Sequence, residues 1–512
     1  MPEKFYITTP IYYVNDVPHI GHSYTEIACD VLARWKRMQG YDVCFLTGTD
    51  EHGQKIAVSA SEAGRQPKEH VDINMQRFKD AWNKLDIRYD RFIRTTDEVH
   101  IKTVQYIFGR LYEKGDIYKG TYEGWYCAPC ESYWTAFQLQ GKDECPDCKR
   151  QVAKITEEAY FFALSKYQDR ILGHIKNNPD FIQPVSRRNE IIKFIESGLK
   201  DQNVSRTNFS WGVPVPFDEK HVVYVWFDAL INYISAIGYP DDAGSFGKWW
   251  PADVHMMGKE IVRFHAVIWP IMLMALDLPL PKKVFGHGWW TVEGEKMSKS
   301  KGNVVDPVKL ADESGLDVVR YFLMREVPFG SDGDFSREML IKRYNADLAN
   351  DLGNLLSRSL TMISKYFEGK VPAKGAGAED ALDKEMSSLI SGTPARFAAA
   401  MDELAVTEAL NAVWALVSFS NSYIENKAPW KLAKEGRTDE LSTVMANLFE
   451  ALRVVSILIT PFMPSTAEAM RGQMGLGPAE SGDDAALLGH VPCAGTTVNK
   501  GLPLFPRIQD NA

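Results

Sequence analysis

The segment His19-Ile20-Gly21-His22 sets two imidazoles on either side of an isoleucine and a glycine. Imidazole N–H groups donate to phosphate oxygens, and a glycine lets a ligand approach the main chain closely. A second cluster, Lys296-Met297-Ser298-Lys299-Ser300 followed by Lys301, gathers three ammonium groups just after Gly294. Its plain reading is a solvated loop. Its chemical reading is a mobile clamp on a triphosphate, whose lysines stabilise charge as it shifts onto a leaving pyrophosphate. A third group, Cys127-Ala-Pro-Cys130 and Cys145-Pro-Asp-Cys148, makes two knuckles that bring four thiolates toward the ~2.3 Å Zn–S distance of a tetrahedral site. The chain fills all four positions, so such a zinc is structural. Two disulfides are the alternative, which a reducing compartment disfavours.

These side chains need elements to hold them. Lys4 to Thr9 reads as a short strand, followed by a proline-containing loop and a helix whose start is marked by Ser23 with Glu26 three later, a capping box. Ile27, Val31, Trp35 and Met38 form its buried stripe, Gly40 stops it, and Val43 to Leu46 is the next strand. That is a βαβ unit. Parallel sheets bind ligands past the carboxyl ends of their strands, here the loop Pro10 to His22 and the segment Thr47 to Gly53. The paired imidazoles fall at the helix start, where free N–H groups and the dipole favour an anion. From about Gly120 to Phe217 the chain turns aromatic and cysteine-rich, with no helical period before Arg187 to Leu199, and reads as an insertion; βα texture returns near His221. From Ser336 to Pro461 the period is helical, with one stripe through Leu340, Tyr344, Leu348, Leu352 and Leu355 and another through Val444, Leu448, Leu452, Val455 and Ile459. Val371 to Glu379 is a small-residue linker, and the tail after Arg471 is rich in glycine and proline. The expected fold class is α/β: a doubly wound, Rossmann-like parallel sheet with a zinc-knuckle insertion, followed by an all-α bundle.

Composition bounds the rest. At about 150 residues per domain, 512 residues suggest three to four domains, and 45% hydrophobic with 24% charged residues exclude disorder and small disulfide scaffolds. Lys+Arg 58 minus Asp+Glu 67 gives −9, so a nucleic-acid partner has to be held by local basic patches. The longest apolar stretch, Ala266 to Leu276, is broken by Pro270, short of the roughly 20 residues of a membrane helix. The N-terminus MPEKFYITTP lacks the basic and apolar regions of a signal peptide. A cytoplasmic protein without a membrane partner is expected. Cys29, Cys44 and Cys493 read as buried thiols, and no internal repeat is found.

HIGH and KMSKS in this order form the signature of class I aminoacyl-tRNA synthetases, which this chain resembles. Within that class, Ile11-Tyr12-Tyr13-Val14-Asn15, Thr49-Asp50-Glu51-His52-Gly53, Val225-Trp226-Phe227-Asp228-Ala229-Leu230 with Tyr233, and His287 between two glycines resemble the methionyl-tRNA synthetase family, nearly from Phe5 to Ile508. The resemblance implies ATP with Mg2+, one structural Zn2+ on Cys127, Cys130, Cys145 and Cys148, L-methionine and tRNA(Met). It implies that His19, His22, Lys296 and Lys299 carry catalysis, and that Gly21, Glu260 and Ser300 join them around ATP, with Glu260 of Gly258-Lys259-Glu260 on the ribose near His265. Asp50 then holds the methionine ammonium, Ile11, Trp226, Ala229, Leu230 and Tyr233 line the side-chain pocket, and Tyr13 and His287 face the sulfur. A thioether is polarizable and a weak acceptor, so an aromatic pocket with aimed donors separates methionine from leucine. Asn354, Arg358 and Trp430 match the anticodon-binding positions; by spacing alone they are a polar helix flank and an ordinary tryptophan. The implied boundaries are 1–118 and 221–295 for the catalytic halves, 119–220 for the insertion, 296–345 for the KMSKS loop and stem-contact region, 346–470 for the anticodon-binding bundle and 471–512 for a tail packing back on the body.

An insertion of about 100 residues is too small for the editing domain of the leucyl, isoleucyl and valyl relatives, and Cys29 and Cys44 lack the spacing of the cysteinyl relative's metal site. A nucleotidylyltransferase shares the sheet and the HIGH-type loop but needs no bundle; a synthetase-like RNA-binding protein keeps the bundle but loses catalytic residues. The end soon after Leu504-Phe505-Pro506 matches shorter family members without an OB-fold domain, for which a monomer is expected.

Overall fold

The computed structural model describes residues 2–508 apart from 16, 129, 131, 135, 140, 147, 293, 297–302, 378 and 478–492, and gives the backbone alone at 122, 132, 133, 136, 137, 157 and 296. The chain forms two compact units, one of Lys4–Cys29 and Val43–His287, the other of Met1–Glu3, Asp30–Asp42 and Gly288–Ala512.

The first unit is built on a seven-stranded sheet of β1 (Lys4–Thr8), β2 (Tyr12–Tyr13), β3 (Asp42–Asp50), β4 (Arg91–Arg94), β5 (Ile182–Gln183), β6 (Val254–Gly258) and β7 (Val284–His287). Its order is β2-β3-β1-β6-β7-β5, with β4 also on β3. The pairs β2/β3, β3/β4, β1/β6, β6/β7 and β7/β5 are parallel. β3 is buried along nearly its whole length, as a strand covered on both faces must be. The order reverses between β1 and β6, which creates a crevice past their carboxyl ends. α1 (Ile20–Met38) follows β2 and buries Ile27, Val31, Trp35 and Met38, and Gly40 stops it at φ 82°.

The insertion region departs from the sequence expectation in two places. Asp218–Val223 pairs antiparallel with Ser205–Arg206 and Pro214–Val215, so the parallel sheet, which β5 has already joined from inside the expected insertion, continues at β6 and not near His221. Gln168–Asn177 is a helix ahead of Arg187; it buries only Ile171 and Ile175, too few positions to establish a period. The insertion's own sheet runs antiparallel, with Ile117–Cys127 paired to Ala153–Phe162 and flanked by Ser132–Trp134 and Gln202–Asn203. Returning to the core, α2 (Val225–Leu230) is a short buried helix.

The second unit is mainly helical: α3 (Leu316–Arg325), α4 (Asn354–Tyr366), α5 (Ala381–Asp402), α6 (Val406–Lys427) and α7 (Thr438–Leu458). Both expected stripes are buried. The first runs partly through a π-helix, Tyr344–Gly353, and its strict spacing of four suits that wider turn. α7 is long and apolar enough to cross a membrane, but 83% of its apolar window is buried inside this fold. The tail returns to the bundle: Val498 N–H donates to Gly369 O at 2.8 Å, Val371 N–H to Thr496 O at 2.9 Å, and the Tyr344 hydroxyl to Pro506 O at 2.7 Å.

Candidate active site

α1 begins at Ile20, which makes His19 its N-cap. The Gly21 N–H donates to Nδ1 of His19 at 3.1 Å, and the His19 N–H donates to Nδ1 of His22 at 3.2 Å. Two donors at the helix start are thus satisfied reciprocally by two imidazoles. This pair replaces the expected Ser23–Glu26 box: Ser23 lies inside the helix, and buried Glu26 accepts the hydroxyls of Thr47 and, at 3.3 Å, Thr9. Glu26 is committed to the loops after β1 and in β3 and cannot turn back to the helix start. The two rings stack at 3.7 Å between centroids and 19° between planes. A backbone N–H can only donate, so each Nδ1 is an acceptor and each neutral ring carries its proton on Nε2. Burial pushes His19 below the ordinary 6.5, with Glu260 pulling against it, and pushes His22 well below. The helix start therefore presents two neutral rings, each with an Nε2–H donor.

Glu260 follows β6 at the strand-order reversal. Its carboxylate oxygens lie 2.5 and 2.7 Å from where a Cβ on Gly258 would stand, so only glycine leaves them their position. On β7, His287 is in register with Gly258. Its Nε2 meets the Thr25 hydroxyl at 2.7 Å, and its ring packs edge-on to Tyr24 at 4.9 Å.

Other expected pocket residues lie on and just before β2, at the end of β3, and on and just after α2. Tyr13 is paired with Asp50 across β2 and β3, and Ile11 packs on the core cluster that includes Leu230 and Tyr233. Trp226 stacks on Phe264 at 3.8 Å and 6°. Ala229 is buried beside it in sequence, and the hydroxyl of buried Tyr233 meets Nε2 of His265 at 2.7 Å. His265 Nδ1 lies 3.0 Å from Ile261 O and must donate to it, which leaves Nε2 to accept from Tyr233. Burial pushes this imidazole down to about 4, so it is neutral.

Asp228 lies on α2 among the pocket residues and is fully buried. Its Oδ2 is 2.7 Å from His52 Nδ1, and its Oδ1 is 2.8 Å from His100 Nε2. Burial alone would raise this carboxyl; the attraction and hydrogen bonds of the two imidazoles hold it below the ordinary value. Arg206, also buried, stacks its guanidinium 3.9 Å above the Tyr126 ring.

In the knuckle, the Sγ atoms of Cys127, Cys130, Cys145 and Cys148 all lie within 4.8 Å of one another. Cys127–Cys148 is 3.5 Å and Cys145–Cys130 is 3.9 Å. Tetrahedral Zn–S bonds place sulfurs about 3.8 Å apart, whereas a disulfide needs about 2.05 Å. The four thiols fit a tetrahedral ion and are unbonded to one another.

In the helical unit, Asn354 and Arg358 share a face of α4, and Arg358 is held by Glu425 of α6 at 2.7 Å. α6 ends on Ala428, a non-glycine residue at φ 42° and ψ 66°, and two residues later Trp430 stands 42% exposed. Lys427 beside this corner is anchored to Asp380 at 2.7 Å and Asp383 at 2.8 Å.

The family of class I tRNA synthetases (M) matches residues 5–157 and 151–360, and the anticodon binding domain of methionyl tRNA ligase matches residues 371–512. The chain is 57% identical over 511 residues to the methionine–tRNA ligase of Caldanaerobacter subterraneus subsp. tengcongensis, covering 99% of this chain and 79% of that protein. It is 54% identical to that of Clostridium tetani over 100% of this chain and 79% of the relative. This chain belongs to the methionyl-tRNA synthetase family. A solved structure of this family, the Mycobacterium tuberculosis methionyl-tRNA synthetase in complex with methionyl-adenylate, is similar at TM-score 0.94 and 43% identity, covering 99% of this chain and 100% of that one. The apo form of the same enzyme gives TM-score 0.88 at 40% identity, covering 99% of each chain.

Of the family signature, HIGH is fully described. Lys299 and Ser300 lie outside the described residues, and Lys296 is described only by its backbone, paired with Thr291. Sequence reasoning did not single out Phe264, His52, His100, Asp228 or Arg206, and it took His265 only as a neighbour of the ribose segment. A carboxylate inside the apolar run Val225 to Leu230 was the available signal for Asp228, since buried charges need partners.

Proposed function

We propose that this chain is a methionine–tRNA ligase that activates L-methionine with ATP to methionyl adenylate and pyrophosphate, then transfers methionine to the 3′ end of initiator and elongator tRNA(Met). The observation that carries the reading is near-full-length relatedness to proteins named methionine–tRNA ligase, 57% identity in one case. The likeness to a structure in complex with methionyl-adenylate supports the intermediate.

In the first step the methionine carboxylate attacks the α-phosphorus of ATP, and the bond to pyrophosphate breaks. No covalent enzyme intermediate is needed; positioning and charge stabilisation carry the step. The Nε2–H groups of His19 and His22 donate to phosphate oxygens, Gly21 lets the nucleotide approach the main chain, Glu260 takes the ribose hydroxyls, and Lys296, Lys299 and Ser300 meet the departing pyrophosphate. Mg2+ bound with ATP supplies further charge neutralisation on the phosphates. Asp50 holds the methionine ammonium. Ile11, Trp226, Ala229, Leu230 and Tyr233 line the side-chain pocket, with the Tyr233 hydroxyl oriented by neutral His265. Tyr13 and His287 face the sulfur. In the second step a hydroxyl of the terminal tRNA adenosine attacks the adenylate carbonyl, and AMP leaves.

Asn354, Arg358 and Trp430 read and stack the anticodon, for which an amide, a guanidinium and an exposed indole are the needed groups. Zn2+ on the four cysteines fixes the knuckle. The chain is assigned to the cytoplasm, as a monomer.

The test is ATP–pyrophosphate exchange across the twenty amino acids at fixed Mg2+. Exchange with methionine alone is expected. Exchange with another amino acid overturns the pocket, and none at all overturns the enzymatic reading.

A further inference from the structure

Two of the segments that carry groups assigned to methionine are the end of β3 with Asp50, and α2 with Trp226, Ala229 and Leu230. They are separated by more than 170 residues of chain, yet one buried contact joins them, His52 Nδ1 to Asp228 Oδ2 at 2.7 Å with |i−j| of 176. The other Asp228 oxygen meets His100 Nε2 at 2.8 Å, and His100 Nδ1 meets the Ser235 hydroxyl at 2.8 Å. Asp228 and His100 are fully buried, and His52 is 5% exposed. A carboxylate removed from water keeps its charge only if both oxygens are satisfied, and here each has an imidazole. The site is therefore determined from both sides.

The segment after Asp50 has no regular structure until the helix at Gln54, so side-chain anchors fix its path. Glu51 is one anchor: its carboxylate receives Arg94 at 2.7 and 3.0 Å, and its carbonyl receives the Trp211 indole N–H at 2.6 Å. His52 is the other, and it ties the segment to α2.

We propose that Asp228, acting through His52, is a positioning residue that sets the Asp50 carboxylate against the methionine ammonium. The relay rests on the assignment of Asp50 to that ammonium. His100 and Ser235 hold Asp228 in place, so the three pocket residues of α2 and the carboxylate of β3 keep one fixed spacing. Asp228 touches no substrate; its work is to make the amino group of methionine count toward binding.

The measurement is a ratio of affinities. Methionine is compared with its desamino analogue, which keeps thioether and carboxylate but offers Asp50 nothing, as inhibitors or substrates in pyrophosphate exchange. In Asp228→Asn the preference for methionine over the analogue is expected to fall about tenfold or more, the size expected for a charged hydrogen bond. His52→Leu should reproduce the fall, and His52→Gln, which keeps a donor toward Asp228, should restore much of it. A role in folding alone lowers thermal stability and turnover but leaves the ratio at the parent value, and that result overturns the proposal. If Asp228→Asn does not fold, the same ratio in His52→Leu decides. Asp50→Ala separates the two levels: a parent-like ratio there refutes the Asp50 assignment itself, whereas a collapsed ratio beside an unchanged Asp228→Asn refutes only the relay.

Discussion

His19 and His22 each hold a helix N–H through Nδ1, so protonating that nitrogen removes an acceptor that α1 needs. Both groups have folded values below the ordinary 6.5. A base with a depressed folded pKa binds fewer protons when native, so its contribution is fully present above 6.5 and is lost as pH falls through 6.5 toward the folded value. Pyrophosphate exchange should accordingly be flat across neutral pH, with an acid limb below 6.5. A limb centred above that value in the profile of kcat/KM for ATP would contradict the neutral pair. At the same scale, Lys299→Ala should lower turnover by ~10²–10³ in pre-steady-state adenylate formation while methionine affinity changes little, because its charge acts on the departing pyrophosphate. Unchanged turnover would refute that role. The chemistry of His19, His22 and the four cysteines was legible because each set is local in sequence. The mutual capping was not, since an imidazole is an uncommon N-cap, and the Asp228 relay was not, since its partners are remote in the chain.

Among elements, strands and buried stripes were the most legible. The strand at Lys4, the stripe of α1 and both bundle stripes follow from spacing, because burial on one face imposes a period. The antiparallel pairing of Asp218–Val223 was not readable: a short apolar run carries no sign of its partner's direction. Among the described residues the knuckle's buried core is Cys127, Trp134, Leu139, Cys145 and Val152, with Trp125, Cys130 and Cys148 packed against it. So small a cluster leans on its ion. Atomic absorption should find about one zinc per chain, and chelation should melt this region while the parallel sheet persists; less than half an equivalent in undenatured protein would exclude the metal. The α6 corner is the other exposed device. Trp430→Ala should lose tRNA charging while retaining methionine-dependent pyrophosphate exchange. Equal loss of both would show that the indole serves the fold and not the anticodon.

At the scale of the molecule, the helical unit includes a piece of the first βαβ connection, Asp30–Asp42. Within that unit Asp30 is fully buried against Arg320, 2.6 Å away, and Arg320 also donates to the carbonyls of Pro461 and Phe462 at 3.0 Å. Arg34 adds a second cation at 2.6 Å. Removing Asp30 takes the carboxylate from two arginines, one of them fully buried, so Asp30→Leu should cost about 3–5 kcal/mol in chemical denaturation, and pairing it with Arg320→Met should recover a large part. A cost below about 1 kcal/mol, the scale of an exposed pair, would show the site to be wet. This cross-chain pairing was invisible in the sequence, where Asp30 reads as a polar residue on an amphipathic helix.

The same pair bears on the order of events at the ribosome. α1 is complete early in synthesis and already sets Arg34 beside Asp30, but the second guanidinium, Arg320, comes 290 residues later, and the carbonyls that seat it come about 140 residues after that. Until Arg320 arrives that carboxylate has only the cation of its own helix, so burying the half of α1 beyond Cys29 is less favourable than in the finished fold. The signature histidines thus start a helix that is made early, and the seat of its Asp30 is completed only by residues just past α7.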